Sequence, residues 1–218
     1  LDPLLLSFKV ATLAVVISAV LGVALAALLA SRRFPLRDLV DVLVTAPMVL
    51  PPTVLGYYVL VLVGRRSAIG ALFERLTGSS IVFSQTGAVV AACIGSLPLV
   101  VKSSRAALES IDPVLPRAAR TLGAGPVRAF FTVSVPLAAP GIAAGLMLGF
   151  ARALGDFGVT LMVAGDIPGR TQTASLAIYD AIQSAREPDA GFMIAVLSAV
   201  AVTILYATNK LTQAPHAE

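Results

Sequence analysis

Tryptophan is absent, cysteine and histidine occur once each, and only 13% of the 218 residues are charged. A single Cys93 inside an apolar run excludes both a disulfide framework and a cysteine metal site. The one histidine, His216, lies in the C-terminal tail, so no serine has an imidazole to activate it, and no Gly-x-Ser-x-Gly elbow occurs. A glycine-rich loop ending in Gly-Lys-Ser/Thr is also missing, which removes ATP binding of that type. No pair of carboxylates suited to acid–base work falls within an apolar run, and no internal repeat is evident. Lysines and arginines are scattered through polar segments without interleaved aromatics, a poor footprint for nucleic acid despite the net charge of +4.

What the chain has is apolar length. Hydrophobic residues make up 57% of it and the mean hydropathy is +0.91. A soluble domain of this size leaves too much surface to water for such a composition, so the bilayer is the expected solvent. A hydrocarbon core of about 30 Å needs about 20 helical residues. Five runs qualify: Leu4–Ala30, Leu39–Val63, Ile81–Val101, Ala138–Ala164 and Phe192–Leu211. The expected fold is therefore an all-α polytopic bundle of five spans, one domain over residues 1–218. Arg32 and Arg33 stop the first run, and Lys102 the third. The first run has no small-residue cleavage site and reads as a retained span, not a signal peptide. Residues 64–80 and 165–190 are too polar to span; the second has room for a surface helix around Thr173–Ser184.

Charge sets the expected orientation. With the N-terminus outside and the C-terminus cytoplasmic, the inner segments hold Arg32, Arg33, Arg37, Lys102, Arg105, Arg117, Arg120, Arg128 and Lys210. They outnumber the outer Arg65, Arg66, Arg75, Arg170 and Arg186, as the positive-inside rule requires.

Between the third and fourth runs, residues 112–136 form a polar interruption. Asp112-Pro113 reads as a helix start, and Leu115, Ala118, Ala119 and Leu122 fall at i, i+3, i+4, i+7 to make a narrow apolar stripe, with Arg117 and Arg120 pointing elsewhere. Gly123-Ala124-Gly125 ends that helix, and Pro126 opens a second one that Pro136 is expected to close. Within the fourth run, Arg152 and Asp156 stand one turn apart. A charge at the bilayer centre costs about 2.5–3.5 kcal/mol, so the two are expected to pair or to face a water-filled path. Gly141, Gly145 and Gly149 make a small-xxx-small ridge suited to packing. In the second run Pro47, Pro51 and Pro52 interrupt backbone hydrogen bonding and mark either a kink or a gate, flanked by Met48 and Thr53.

Ala118-Ala119, three residues, Gly123, nine residues, Val133, one residue and Val135-Pro136 together resemble the coupling-loop signature of ABC importer permeases. The stretches Ala46–Tyr57 and Gly149–Gly158, with Arg120-Thr121-Leu122-Gly123-Ala124, are similar to the molybdate permease family, the inner-membrane components of binding-protein-dependent transport systems. The likeness covers about Leu5 to Leu211. It implies a type I importer permease working as a homodimer in the cytoplasmic membrane of a prokaryote. Two cytoplasmic ABC ATPase subunits would bind ATP and Mg, since this chain has no cofactor of its own, and an external oxyanion-binding protein would deliver cargo. Molybdate or tungstate is the implied cargo, with sulfate or thiosulfate the alternative and a non-transporting membrane scaffold the rival of another class. On this resemblance Arg117, Ala118, Ala119, Arg120, Gly123, Val133 and Pro136 couple to the ATPase, and Pro47, Met48, Pro51, Pro52, Thr53, Arg152 and Asp156 belong to the path or gate. The chain departs from the signature where an acidic residue is expected, having Pro116 and Arg117.

Overall fold

The computed structural model describes residues 2–31 and 34–212; Arg32, Arg33 and His216 lie outside the described residues. Helix α1, Pro3–Ala30, starts where the Asp2 carboxylate accepts the Leu4 N–H at 2.8 Å and Pro3 takes the first position, where it forfeits no bond. Its 28 residues give a rod of about 42 Å, ample for a bilayer core.

The run expected as one span over 39–63 is two helices, α2 (Arg37–Val49) and α3 (Pro52–Val63). The cause is the Pro51-Pro52 pair: each proline forces the residue before it out of the helical region, and Leu50 and Pro51 are extended, with ψ of 138° and 137°. After Gly64 the chain bends by 58° into α4, Ala68–Thr77, capped by the Ser67 hydroxyl and closed by Gly78 at φ +70°.

Helix α5, Gln85–Glu109, does not end at Lys102 as expected but runs two turns further. Lys102 and Arg105 stay helical because acids meet them. Asp41 of α2 lies 2.9 Å from Lys102 and 3.1 Å from Arg105, and Glu109 lies 2.9 Å from Arg105 and 2.7 Å from Arg37. Then come α6 (Val114–Thr121) and α7 (Pro126–Ala129), followed by a π-helical turn over Phe130–Ser134 that leads straight into α8, Val135–Leu154.

Pro136 therefore closes nothing; it sits in the first turn of α8. The wider i→i+5 turn, seen in the Val135 N–H donating to the Phe130 carbonyl, lets the chain pass the proline ring without breaking. The run expected as one span over 138–164 also divides, into α8 and α9 (Gly158–Ala164). Helices α10 (Ala174–Gln183) and α11 (Glu187–Thr212) complete the chain, α10 lying where a surface helix was expected. Among the described residues there is no strand.

Four helical stretches are long and apolar enough to cross a membrane: Pro3–Ala30, Gln85–Glu109, Pro126–Leu154 and Ala190–Leu211. The bent α3–α4 pair makes a possible fifth by length and composition. Helix α5 is the centre, with 61% of its apolar stretch buried against 6% for α11 at the periphery. Leu6, Val10, Ala11 and Ala14 of α1 pack with Ala88, Val89 and Ala92 of α5 and Ala153 and Leu154 of α8. The glycine ridge of α8 lies on α5: a Cβ built on Gly141 would stand 2.5 Å from Ala107, and one on Gly145 2.6 Å from Ser103. Small residues set this approach distance.

The bundle has two distinct ends. At one, the Lys9 ammonium donates to Gln85 at 2.9 Å and the Ala174 N–H donates to the Ser7 hydroxyl at 2.7 Å, so the starts of α1, α5 and α10 lie together. At the other, the ends of α1 and α5 and the start of α2 surround the interruption between α5 and α8. Helices α2 and α3 together follow the length of α5, from Asp41 beside Lys102 to Val63 in one cluster with Ile81.

Candidate functional site

Two broken helices meet at their breaks. The α8–α9 break lies between Gly155, which ends one helix, and Gly158, which starts the next; Asp156 stands within it, and its Oδ2 accepts the N–H of Thr160 in the first turn of α9 at 3.0 Å and the Thr160 hydroxyl at 2.7 Å. Its Oδ1 accepts from Arg152 Nη1 at 3.0 Å. One buried carboxylate thus caps α9 and holds the guanidinium of α8. The pair lies against α5, where a Cβ on Gly95 would be 3.5 Å from the Arg152 guanidinium and 3.6 Å from Asp156. Asp156 is buried, while the Arg152 side chain remains 37% exposed, so part of its donor fork is open to whatever occupies the space beside it.

The α2–α3 break stands beside this one. A Cβ on Gly158 would lie 2.6 Å from Pro52 Cβ, and one on Gly56 would lie 2.7 Å from Met162 Cβ. The sequence therefore brings Pro52 to the same place as Arg152 and Asp156. Pro51, Pro52, Thr53 and Met48 are exposed, and Pro47 is half-buried inside α2. Discontinuous helices of this kind leave carbonyls and N–H groups unpaired by the helix, tolerable at membrane depth only where protein or a water-lined cavity answers them.

At the other end is the loop of residues 112–136. Asp112 Oδ1 accepts the Val114 N–H at 2.8 Å and starts α6. Helix α6 ends in a Schellman motif, with the Ala124 N–H on the Ala119 carbonyl and the Gly123 N–H on the Arg120 carbonyl, both at 3.1 Å. The motif requires a left-handed residue, and Gly123 has φ +89°. Arg117, Ala118 and Arg120 are exposed, Ala119 and Val133 half-buried, and Pro136 exposed. Leu115 and Leu122 of the expected apolar stripe are exposed too, Leu122 at 89%, as are Val127 and Phe131. The stripe is turned away from the bundle. Behind it a cavity of about 740 Å³ is bordered by Arg37, Glu109, Pro113, Pro116 and Arg117.

Gly95 and Thr160 were not singled out from sequence. Thr160 stands four residues after Asp156, one more than the usual capping spacing, so nothing in the sequence marks it. Gly95 carries no local signal at all. The Asp41–Lys102–Arg105–Glu109–Arg37 ion network also went unforeseen, because its partners lie on helices far apart in the chain. Among the described residues no group of three or more His, Cys, Asp or Glu side chains is placed to hold a metal ion.

Comparison with known proteins bears on all of these features. Residues 18–211 match the family described as binding-protein-dependent transport system inner membrane component. The chain is 48% identical over 180 residues to the molybdenum transport system permease protein ModB of Escherichia coli (strain K12), covering 83% of this chain and 79% of that protein. It is 39% identical over 202 residues to ModB of Azotobacter vinelandii, covering 93% and 89%. A more distant relative, the sulfate transport system permease protein CysT of Salmonella typhimurium, is 32% identical over 209 residues, covering 94% and 75%. Among solved structures, an inward-facing form of the MetNI methionine ABC transporter shares the fold, with a TM-score of 0.73 at 17% identity over 97% of this chain and 94% of that one.

Proposed function

The chain belongs to the family of binding-protein-dependent transport system inner membrane components, and on that premise we propose that it is the permease subunit of an ATP-driven molybdate importer. Two copies enclose the path, two cytoplasmic ATPase subunits bind ATP and Mg, and an external binding protein supplies the anion. The N-terminus lies outside and the C-terminus inside, so the 112–136 loop faces the ATPase.

The observation that carries this reading is the exposed, rigidly closed loop. Leu115, Leu122, Val127 and Phe131 are bare, while the Schellman motif at Gly123 and the π turn before Pro136 lock their geometry. An apolar face held this stiffly transmits displacement instead of absorbing it. Arg117 stands where an acid was expected and offers an acidic partner a donor fork. ATP-driven closure of the ATPases moves the loop, and the spans beyond it alternate access.

The paired breaks form the path. The open edge of the Arg152 guanidinium meets the oxyanion, and Asp156 fixes its orientation while tempering its charge, so that the anion binds weakly enough to leave. Pro47, Met48, Pro51, Pro52 and Thr53 form the gate beside it. Sulfate is the second cargo, on the strength of the more distant sulfate permease relative.

Vesicles carrying this chain with its ATPase and binding protein test the reading. Labelled molybdate is expected to accumulate only with ATP, and a large excess of sulfate to compete weakly. Equal competition by sulfate would reassign the cargo, and ATP-independent background alone would remove the transporter.

A further inference from the structure

At the end opposite the coupling loop, a second and larger cavity of about 1110 Å³ opens between the α3–α4 bend, the turn before α5 and the loop after α9. Its wall carries Arg65, Arg66 and Arg170 together with the hydroxyls of Ser67, Ser79 and Ser80. No carboxylate lines it. Glu74 reaches Arg65 from outside at 3.5 Å, and among the described residues Arg66 and Arg170 have no ion-pair partner. A concave wall with two guanidinium groups that no carboxylate balances focuses positive potential and draws anions toward itself. Planar forks beside hydroxyl donors suit the oxygens of a small oxyanion.

The cavity is also tied to the inner pair. Phe83 on its rim is held at φ +58°, an unfavourable conformation for an aromatic residue, and its N–H donates to the Val163 carbonyl at 3.0 Å. Val163 lies near the far end of α9, whose seven residues span about 10 Å and begin just beyond Asp156. Phe83 thus locks the rim of the cavity to the helix that Asp156 caps.

We infer that this arginine–serine cavity is an outer capture site for a tetrahedral oxyanion, which receives cargo before it moves past α9 to Arg152. The inference rests on the proposed import of an oxyanion. It adds a site with a feature of its own: a surplus of cations without the carboxylate that tempers Arg152. Capture here raises the local anion concentration at the entrance, and the balanced inner pair passes it on.

The test uses the complete transporter in proteoliposomes, with molybdate, tungstate and sulfate each supplied through the binding protein. The double variant Arg66→Gln/Arg170→Gln is expected to lower uptake about tenfold or more while binding-protein-stimulated ATP hydrolysis stays near wild type. Arg66→Lys/Arg170→Lys keeps the charge but not the planar fork and is expected to recover part of the uptake, which separates loss of the site from loss of the fold. Undiminished uptake by the glutamine variant overturns the proposal. So does loss of stimulated hydrolysis in parallel with uptake, because the arginines would then hold the binding protein and not the anion. If wild-type vesicles import none of the three anions, the transport reading falls and takes the capture site with it. Wild-type import matched by the glutamine variant removes the capture site alone.

Discussion

Asp156 does three things with two oxygens: it receives the Arg152 guanidinium, the Thr160 N–H and the Thr160 hydroxyl. Asp156→Ala is expected to lower stability by about 1–3 kcal/mol, because the Thr160 N–H is left buried without an acceptor and α9 loses its cap. Arg152→Lys leaves the Thr160 contacts in place and keeps a cation beside the buried Asp156 carboxylate. It loses the open guanidinium fork, so it is expected to change stability little while uptake drops sharply. Melting curves of both variants in detergent, set beside their uptake rates, check the contrast; equal melting losses would mean that Arg152 is only structural. The i, i+4 spacing of these two residues made their pairing legible from sequence. The break between them was not, because Gly155 and Gly158 read equally well as packing residues in a continuous span. Only the approach of Pro52 to within 2.6 Å of a Cβ on Gly158 shows what that glycine is for.

Among the elements, the loop between α5 and α8 separates what sequence discloses from what it conceals. Its start at Asp112 and its left-handed glycine at 123 follow from local rules that no tertiary contact overrides. Its far end did not follow. A proline normally stops a helix, and nothing local announces that a π turn will carry the chain past Pro136 into α8. The Leu50–Pro51 break is the converse case: consecutive prolines acted as local sterics dictate, but hydropathy averaging hid the break within one span. The loop also offers a clean probe of docking. Gly125 is exposed, has φ −63° and nothing within 4 Å of an added Cβ, so Gly125→Trp adds bulk without backbone strain. Capture of the ATPase by this variant is expected to weaken about tenfold with the fold intact. The same substitution at Gly123 confounds bulk with its φ of +89°. Capture at wild-type strength would exclude this surface as the grip.

For the molecule as a whole, hydropathy made the helical class plain, since apolar runs of this length have no other stable form in lipid. The number of helices and their neighbours depend on contacts distant in sequence. The ion network is the clearest instance, because it binds the start of α2 to the end of α5 and so joins the broken helix to the root of the 112–136 loop. Its members are partly exposed, so each pair adds little stability, and its value lies in registering one helix against the other. The proposed orientation can be checked because Cys93 is the one native thiol. In a Cys93→Ser background, Ser79→Cys is expected to react with a membrane-impermeant maleimide added outside intact cells, and Thr121→Cys only after permeabilisation. The reverse pattern would invert the protein.

Helices α3 and α9 interlock through Gly56 against Met162 and Gly158 against Pro52, with no room for even a methyl group at either point. Surfaces meshed so tightly cannot slide past each other. Any opening must swing both short rods together, pivoting at Leu50–Pro51 on one side and at Gly155–Phe157 on the other, like a door leaf hung on two hinges.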